Sequence, residues 1–533
     1  MIPLANYSVS GLGTQSNIFV REATGLVKAV SAKDALIYNL MWMAPLGTWI
    51  YGVWADNLFP GADLPTTVLI AEVVALVVAV FYAVFNTSMP RTGGDYIWNS
   101  RVLHPVIGMS MNFFFNIALL SIGGATMFWV TQYSLGPMFE VLGMMPVATF
   151  LEGSTGTFIV SVILYILFAV LITRGSRATH IFLWIAFAMT MLAAVVYCGT
   201  LLSIGPAGFQ ANFNQASGMN YNQVISTASS IGYPSSYVMS STLYAVAFTY
   251  FSFTGFNSTV YYSGEIRNTN KSQFIAIIGA TLIYMLILWV DFFVTVSVMG
   301  ARFVGSMAYL SGQGNSAYTL PYAPYFTQLF RFAALGNPAA FAIVMVGFAL
   351  MSVAAPLTYV FGGTRMIFAW AFDRVVPASF AKLDDRFHSP YWAIIITTAA
   401  SIGAMVLWVY TNLLSYFLYA SFGWMVMQAF VSIAGIVFPW KRKDLFELSP
   451  DVVKRKFVGL PTITWLGIGS LICSVYIAYA SVAPAYQGTF QPGYLGFSVS
   501  LMIAGAIIYG IAWAYRKQQG LPLSLTFKAV PPE

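Results

Sequence analysis

Twelve apolar stretches run almost end to end through this chain, most of them roughly 18 to 28 residues long: 34–55, 66–88, 106–133, 155–173, 180–204, 237–262, 273–299, 338–370, 391–409, 411–438, 461–482 and 495–515. A hydrocarbon core about 30 Å thick takes about 20 residues of helix to cross. The pattern therefore predicts an all-α integral membrane protein with twelve transmembrane helices. The apolar runs are continuous and do not alternate, which argues against a barrel wall. The eighth stretch is long enough to project beyond the bilayer on the inner side. With 8% charged residues and a mean hydropathy of +0.75, the chain has too few polar groups for a soluble surface.

The cations set the orientation. With the N-terminus in the cytoplasm, every one of the 24 Lys and Arg residues falls on the inner side except Arg302 and Arg331. That asymmetry obeys the positive-inside rule and supports the helix count, since one missed span would scramble it. The expectation is a multi-pass protein of the plasma membrane with both termini cytoplasmic. The net charge of +7 reads as a topology signal and secondarily as contact with anionic lipid, with no basis for nucleic-acid binding. The first 30 residues carry no cleavable signal pattern and read as a polar tail. Cys198 and Cys473 lie inside spans and are expected to pack as small apolar residues without a disulfide. Loops at about 205–236 and 300–337 are expected outside, solvated for most of their length.

Catalysis has little to work with. His104, His180 and His388 are far apart near inner helix ends, and no metal or nucleophile motif is present. Gly93-Gly94-Asp95 superficially resembles an intramembrane aspartyl site but lacks a partner acid. No enzyme activity, cofactor, metal or obligatory protein partner is expected. A channel would need a repeated filter or rings of like side chains, which the chain lacks.

Two spans are interrupted: the first at Met43-Ala44-Pro45-Leu46-Gly47-Thr48, the sixth at Ser252-Phe253-Thr254-Gly255-Phe256-Asn257. Unwound backbone at membrane depth is tolerated only where it is buried in protein or lines a cavity. If helices one to five and six to ten form two units of opposite topology, the breaks occupy corresponding positions, a pointer to a carrier's binding site. A proline kink and a close-packed glycine remain the plain alternative.

Three motifs carry a family resemblance. Pro90-Arg91-Thr92-Gly93-Gly94-Asp95-Tyr96, with Arg101, Pro105 and Gly108 after it, precedes the third span. Phe251-Ser252-Phe253-Thr254-Gly255-Phe256 is followed by Glu265-Ile266-Arg267-Asn268. Thr364-Arg365-Met366-Ile367-Phe368-Ala369 leads to Asp373-Arg374-Val375-Val376-Pro377. Together they resemble the amino acid-polyamine-organocation superfamily, in its amino acid transporter branch, over about residues 33 to 482. The resemblance implies a LeuT-type fold: two five-helix repeats (34–204 and 237–438) in inverted orientation, a basic inner loop at 439–460, two added helices over 461–515, and tails at 1–33 and 516–533. It also implies carriage of amino acids or related amines by alternating access.

By the same resemblance, substrate contacts would come from Met43, Ala44, Pro45, Leu46, Gly47 and Thr48 and from Phe251, Ser252, Phe253, Thr254, Gly255, Phe256 and Asn257, with Gly123 and Thr126 facing the site. Half-helix ends would hold the carboxylate and ammonium. Ala44-Pro45-Leu46-Gly47 departs from the family's glycine-rich first break, and Asn257 stands where many members have Glu. The missing acid and the rings of Tyr250, Phe251, Phe253 and Phe256 favour a neutral, apolar amino acid over a polyamine. Glu72 and Asp291, ionisable within spans, are coupling candidates, as is Ser352 for a sodium site. The coupling ion stays open, with the proton preferred. Glu265, Arg267, Arg365 and Arg374 are candidates for an inner gate, or for a solvated basic rim.

Overall fold

The computed structural model describes residues 19–20, 23–411, 420–483, 492–521 and 523–532. Most of the N-terminal tail and the first residues of the expected tenth span lie outside these. The long elements in order are α1 (Ala32–Trp42), α2 (Thr48–Leu58), α3 (Leu64–Asn86), α4 (Asp95–Val102), α5 (Pro105–Val130), α6 (Ser154–Thr173) and α7 (Ser176–Ala216). They continue as α8 (Met239–Phe253), α9 (Thr269–Thr295), α10 (Pro338–Phe372), α11 (Tyr391–Tyr410), α12 (Ala420–Lys441), α13 (Thr462–Val482) and α14 (Pro492–Gln518). The only strands among the described residues are β1 (Lys456–Phe457) and β2 (Leu460–Pro461).

Among the described residues, ten helices are long and apolar enough to cross a membrane. The expected first and sixth spans are not among them, because each is broken: α1 and α2 have 11 residues apiece, and α8 is followed by a 3-10 turn, Ser258–Glu265. The helix starts follow local chemistry. Ser31 and Asp34 form a capping box at α1, and the Asn337 side chain caps α10 ahead of Pro338.

The two stretches expected as outside loops are largely helical; 205–236 is exposed or half-buried for most of its length, whereas Phe303–Ala308 and Phe326–Phe330 are buried, a correction to the solvated reading of 300–337. α7 continues through a kink at Gly205 (φ 63) to Ala216, and helices span Tyr221–Ser230, Ala301–Gly312 and Phe326–Ala333. Their apolar residues explain it: the Phe213 ring packs on Phe303 and Phe332 at 4.8 and 5.1 Å, so a stretch rich in Gly, Asn and Ser still buries an aromatic face.

The helices sort into two packed groups. α1, α3, α8 and α9 pack chiefly on one another, while α5, α6, α10 and α11 form a second set, with α7 along α10 and α14 along α5. The breaks lie between them. Both tails reach one face: Val20 N–H donates to Phe372 O at 3.4 Å, and Arg516 Nε to Arg374 O at 3.2 Å. We refer to this as the tail face.

Candidate functional site

The first break is a tight reversal. Ala44 has φ +52, rare for a residue with a Cβ, and Gly47 N–H donates to Ala44 O at 2.8 Å. Tyrosines secure it from outside: Tyr359 OH donates to Trp42 O at 3.0 Å and Tyr284 OH to Met43 O at 2.9 Å, using carbonyls that α1 leaves free at its end. Leu46 N–H points at Met351 Sδ, 3.0 Å away, and the buried Thr48 hydroxyl has no hydrogen-bond partner.

The second break turns on Gly255, at φ +120, where a Cβ would lie 2.0 Å from the Trp42 indole. Sterics and backbone both demand glycine there, and the two breaks touch at this point. Thr254 Oγ1 bonds back to Phe251 O, and the buried Ser252 Oγ lies near the Tyr284 hydroxyl without completing a hydrogen bond. Asn39 of α1 then stitches the pieces together. Its Oδ1 accepts from Ser258 Oγ (2.7 Å) and Thr259 N–H (3.0 Å), and its Nδ2 donates to Ala276 O (3.1 Å).

A cavity of about 30 Å³ lies beside both breaks, room for about two waters. Of the expected contact residues, Met43, Ala44, Thr126, Phe251, Ser252 and Thr254 line it. Pro45, Leu46, Gly47, Thr48, Phe253, Gly255, Phe256 and Asn257 do not; they build the turns behind it. Gly123 faces Tyr165, Pro356 and Tyr359 instead. The rest of the wall is aromatic and aliphatic, with Trp42, Tyr51, Trp129, Tyr359 and Trp424 absent from the expected set. Among the described residues, no charged side chain lines it. In a chain with 17% aromatic residues, ring identity alone does not single these out.

Rings close one side, where Tyr51 meets Trp129 at 5.5 Å, Trp54 at 5.6 Å and Phe251 at 6.0 Å, all edge to face, and Trp54 Nε1 donates to the Tyr325 hydroxyl at 3.2 Å. The tail-face side adds a buried ion pair. Trp42 stacks on Tyr261 at 6.2 Å, and the Tyr261 hydroxyl donates to Asp95 at 2.9 Å. Beyond them Arg365 grips Glu265 at 2.8 Å (Nε to Oε1) and 3.3 Å (Nη2 to Oε2), with its guanidinium carbon 3.8 Å from the Phe361 ring centre. Both side chains of this pair are buried, at 1% and 4% exposure. Arg267 binds backbone, its N–H to Val30 O at 2.9 Å and its Nε to Lys28 O at 3.1 Å. Arg374 donates to Phe19 O at 2.8 Å. The second buried pair is one that sequence reasoning missed: Arg101 holds both oxygens of Asp373 at 2.6 and 2.7 Å. Its partners are 272 positions apart, so spacing carried no signal.

The in-span acids sit away from the cavity wall. Glu72 is buried near the Thr281 hydroxyl, which donates to Ile278 O at 2.9 Å instead, leaving both carboxyl oxygens without a hydrogen bond. Asp291 accepts from Cys198 Sγ at 3.4 Å and lies near the indole N–H of Trp49, which follows the first break. Ser352 Oγ is committed to Phe348 O at 2.8 Å within its own helix. Asp95, between spans, is buried and accepts from Asn112 Nδ2 at 3.1 Å; burial pushes its carboxyl up to about 7.

Comparison with known proteins gives three findings. A family model described as amino acid permease matches residues 35–513. The glutamate/serine transporter AimA of Bacillus subtilis (strain 168) is 24% identical over 404 residues, a match covering 73% of this chain but 65% of that protein, under two thirds of its length. The methylthioribose transporter of the same organism is 21% identical over 493 residues, covering 85% of this chain and 94% of that protein.

Proposed function

This chain belongs to the amino acid permease family, and on that premise we propose that it moves neutral amino acids with apolar or small side chains across the plasma membrane by alternating access. The observation that carries the reading is the cavity beside the two abutting helix breaks, walled by rings, aliphatic groups, hydroxyls and backbone without one charged side chain. A substrate carboxylate and ammonium can be met there by half-helix backbone ends. A second carboxylate, as on glutamate, would be buried without a cation, and a polyamine without an acid, each costly. The packing of α1, α3, α8 and α9 as one group against α5, α6, α10 and α11 supports an inverted five-helix repeat with the first group rocking. The tail face is then cytoplasmic.

Proton coupling is the preferred drive. Glu72 and Asp291 are buried acids with unfilled acceptor capacity, and Asp291 is close enough to Trp49 to sense the first break.

The test is uptake into proteoliposomes of a labelled panel: alanine, serine, leucine, phenylalanine, glutamate, putrescine and methylthioribose, under imposed proton or sodium gradients. Accumulation of neutral amino acids that collapses with a protonophore is the expected result. Preferential uptake of glutamate or putrescine overturns the substrate reading. Saturable binding without uptake overturns transport.

A further inference from the structure

Between α12 and α13 the chain folds into two short helices, Lys443–Glu447 and Asp451–Lys454, and then the β1–β2 hairpin, in which Lys456 pairs with Pro461 and Phe457 with Leu460. Its two-residue turn needs positive φ at both positions. Gly459 suits that at φ +81, but Val458 is a β-branched residue at φ +46, an outlier that folding alone would not select. A hairpin of two residue pairs is marginal by itself, yet this one is locked to the first turn of α13. Thr462 donates to Arg455 O through N–H and hydroxyl, both at 2.7 Å, and Trp465 Nε1 donates to Phe457 O at 2.8 Å.

The lock holds an apolar tip outward. Val458 is 75% exposed, more than any other large hydrophobic among the described residues, and Phe457 is 69% exposed. Arg455 and Lys456 beside them are exposed and make no ion pair among the described residues. Of the other loop cations, Arg442 pairs with Asp444 at 2.7 Å, Lys454 meets Glu447 O at 3.1 Å and Asp451 at 3.9 Å, and Lys441 donates to Leu103 O at 3.4 Å, while Lys443 is exposed beside Arg442. Position decides what meets this tip. Val458 lies four residues before Thr462, the first residue of a membrane-crossing helix, so it stays within about 14 Å of that helix start. Half-exposed Trp440 and Trp465 mark a headgroup-level belt on the adjoining helix ends.

We propose that this hairpin is an anionic-phospholipid anchor: Phe457 and Val458 enter the boundary between headgroups and acyl chains while Arg455 and Lys456 contact lipid phosphates. Apolar tip and flanking cations are the complement of such a surface. The anchor pins the α12–α13 pair, the most extensively packed pair of helices among the described residues, to the bilayer. It does not depend on the substrate or coupling ion.

The experiment places an environment-sensitive fluorophore at Val458→Cys, with Cys198→Ala and Cys473→Ala, in nanodiscs of phosphatidylcholine alone or mixed with phosphatidylglycerol. A blue shift with quenching by nitroxide-labelled lipid in the mixed discs, reduced at least threefold by Arg455→Gln/Lys456→Gln, is expected. Equal signals in both disc types overturn the anionic part, and signals equal to those in detergent overturn insertion altogether. Protection that appears only on adding cytosolic protein assigns the tip to a protein partner and overturns the anchor. As a folding control, Val458→Asn relieves the turn and should keep or raise the unfolding temperature in detergent while shrinking the increment that phosphatidylglycerol adds. An undiminished increment counts against the proposal.

Discussion

At the scale of single residues, the glycine at the second break is the least replaceable side chain in the site. A Cβ on Gly255 would sit 2.0 Å from Trp42, at a φ of +120 that L-residues avoid, so Gly255→Ala must displace either the indole or the break. We expect Gly255→Ala to reduce transport at least tenfold and lower the unfolding temperature by several degrees. Gly403→Ala, where a Cβ meets nothing within 4 Å, serves as the silent control. Asp95 makes a second residue-level prediction. Burial raises its carboxyl from 3.8 to about 7, so the folded protein takes up a proton more readily than the unfolded chain. Its contribution is full below about pH 4 and is lost as the pH rises through 7. Unfolding temperature measured from about pH 4.5 to 7.5 should therefore fall less steeply in Asp95→Asn than in the parent, and parallel slopes would refute the assignment.

At the scale of elements, the two breaks were legible because the residues that make them are unusual: proline and glycine in the first, glycine amid hydroxyls in the second. Continuous spans were legible from length alone. The broken ones fall short of that criterion in the structure, which is why ten helices and not twelve pass it. What spacing does not carry is long-range pairing. Arg365 and Glu265 were each singled out but not joined, and Arg101 and Asp373 were read only as parts of separate motifs, since neither contact leaves a local pattern. Nor did composition reveal the outer helices, because polar residues in 205–236 mask buried phenylalanines. The Glu265–Arg365 pair supplies the prediction at this scale. Removing one partner of a buried pair leaves a charge uncompensated and costs about 3–5 kcal/mol, whereas replacing both with apolar groups costs little. Glu265→Leu should destabilise markedly by thermal unfolding, and Glu265→Leu/Arg365→Met should recover most of the loss. Additive losses would mean that the pair is not coupled.

At the scale of the whole molecule, the two closures around the cavity differ in kind, one built of rings and the other carrying a buried ion pair, and on the proposed function that difference predicts which side opens first. On one side the Tyr51, Trp129, Phe251 and Trp54 rings are joined by edge contacts, each worth about 0.5–1.5 kcal/mol beyond burial, and Trp54 Nε1 donates to the Tyr325 hydroxyl at 3.2 Å. On the tail face the barrier combines Trp42 on Tyr261, the hydrogen bond to Asp95, the Glu265–Arg365 pair and the bridge of Val30 to Ile266. A cavity of about 30 Å³ cannot take an amino acid until one closure yields, and the closure without a buried ion pair is the one expected to yield. A cysteine at Thr126, which lines the cavity, reports this directly once Cys198 and Cys473 are replaced by alanine. In right-side-out vesicles an impermeant thiol reagent should label Thr126→Cys several-fold faster than in inverted vesicles, with substrate slowing the reaction. Adding Glu265→Leu/Arg365→Met weakens the ion-paired closure without stranding a charge, so it should raise labelling in inverted vesicles and lower it in right-side-out ones. Faster labelling in inverted vesicles before that change would show that the tail face is the weaker barrier and would reverse the assigned resting state.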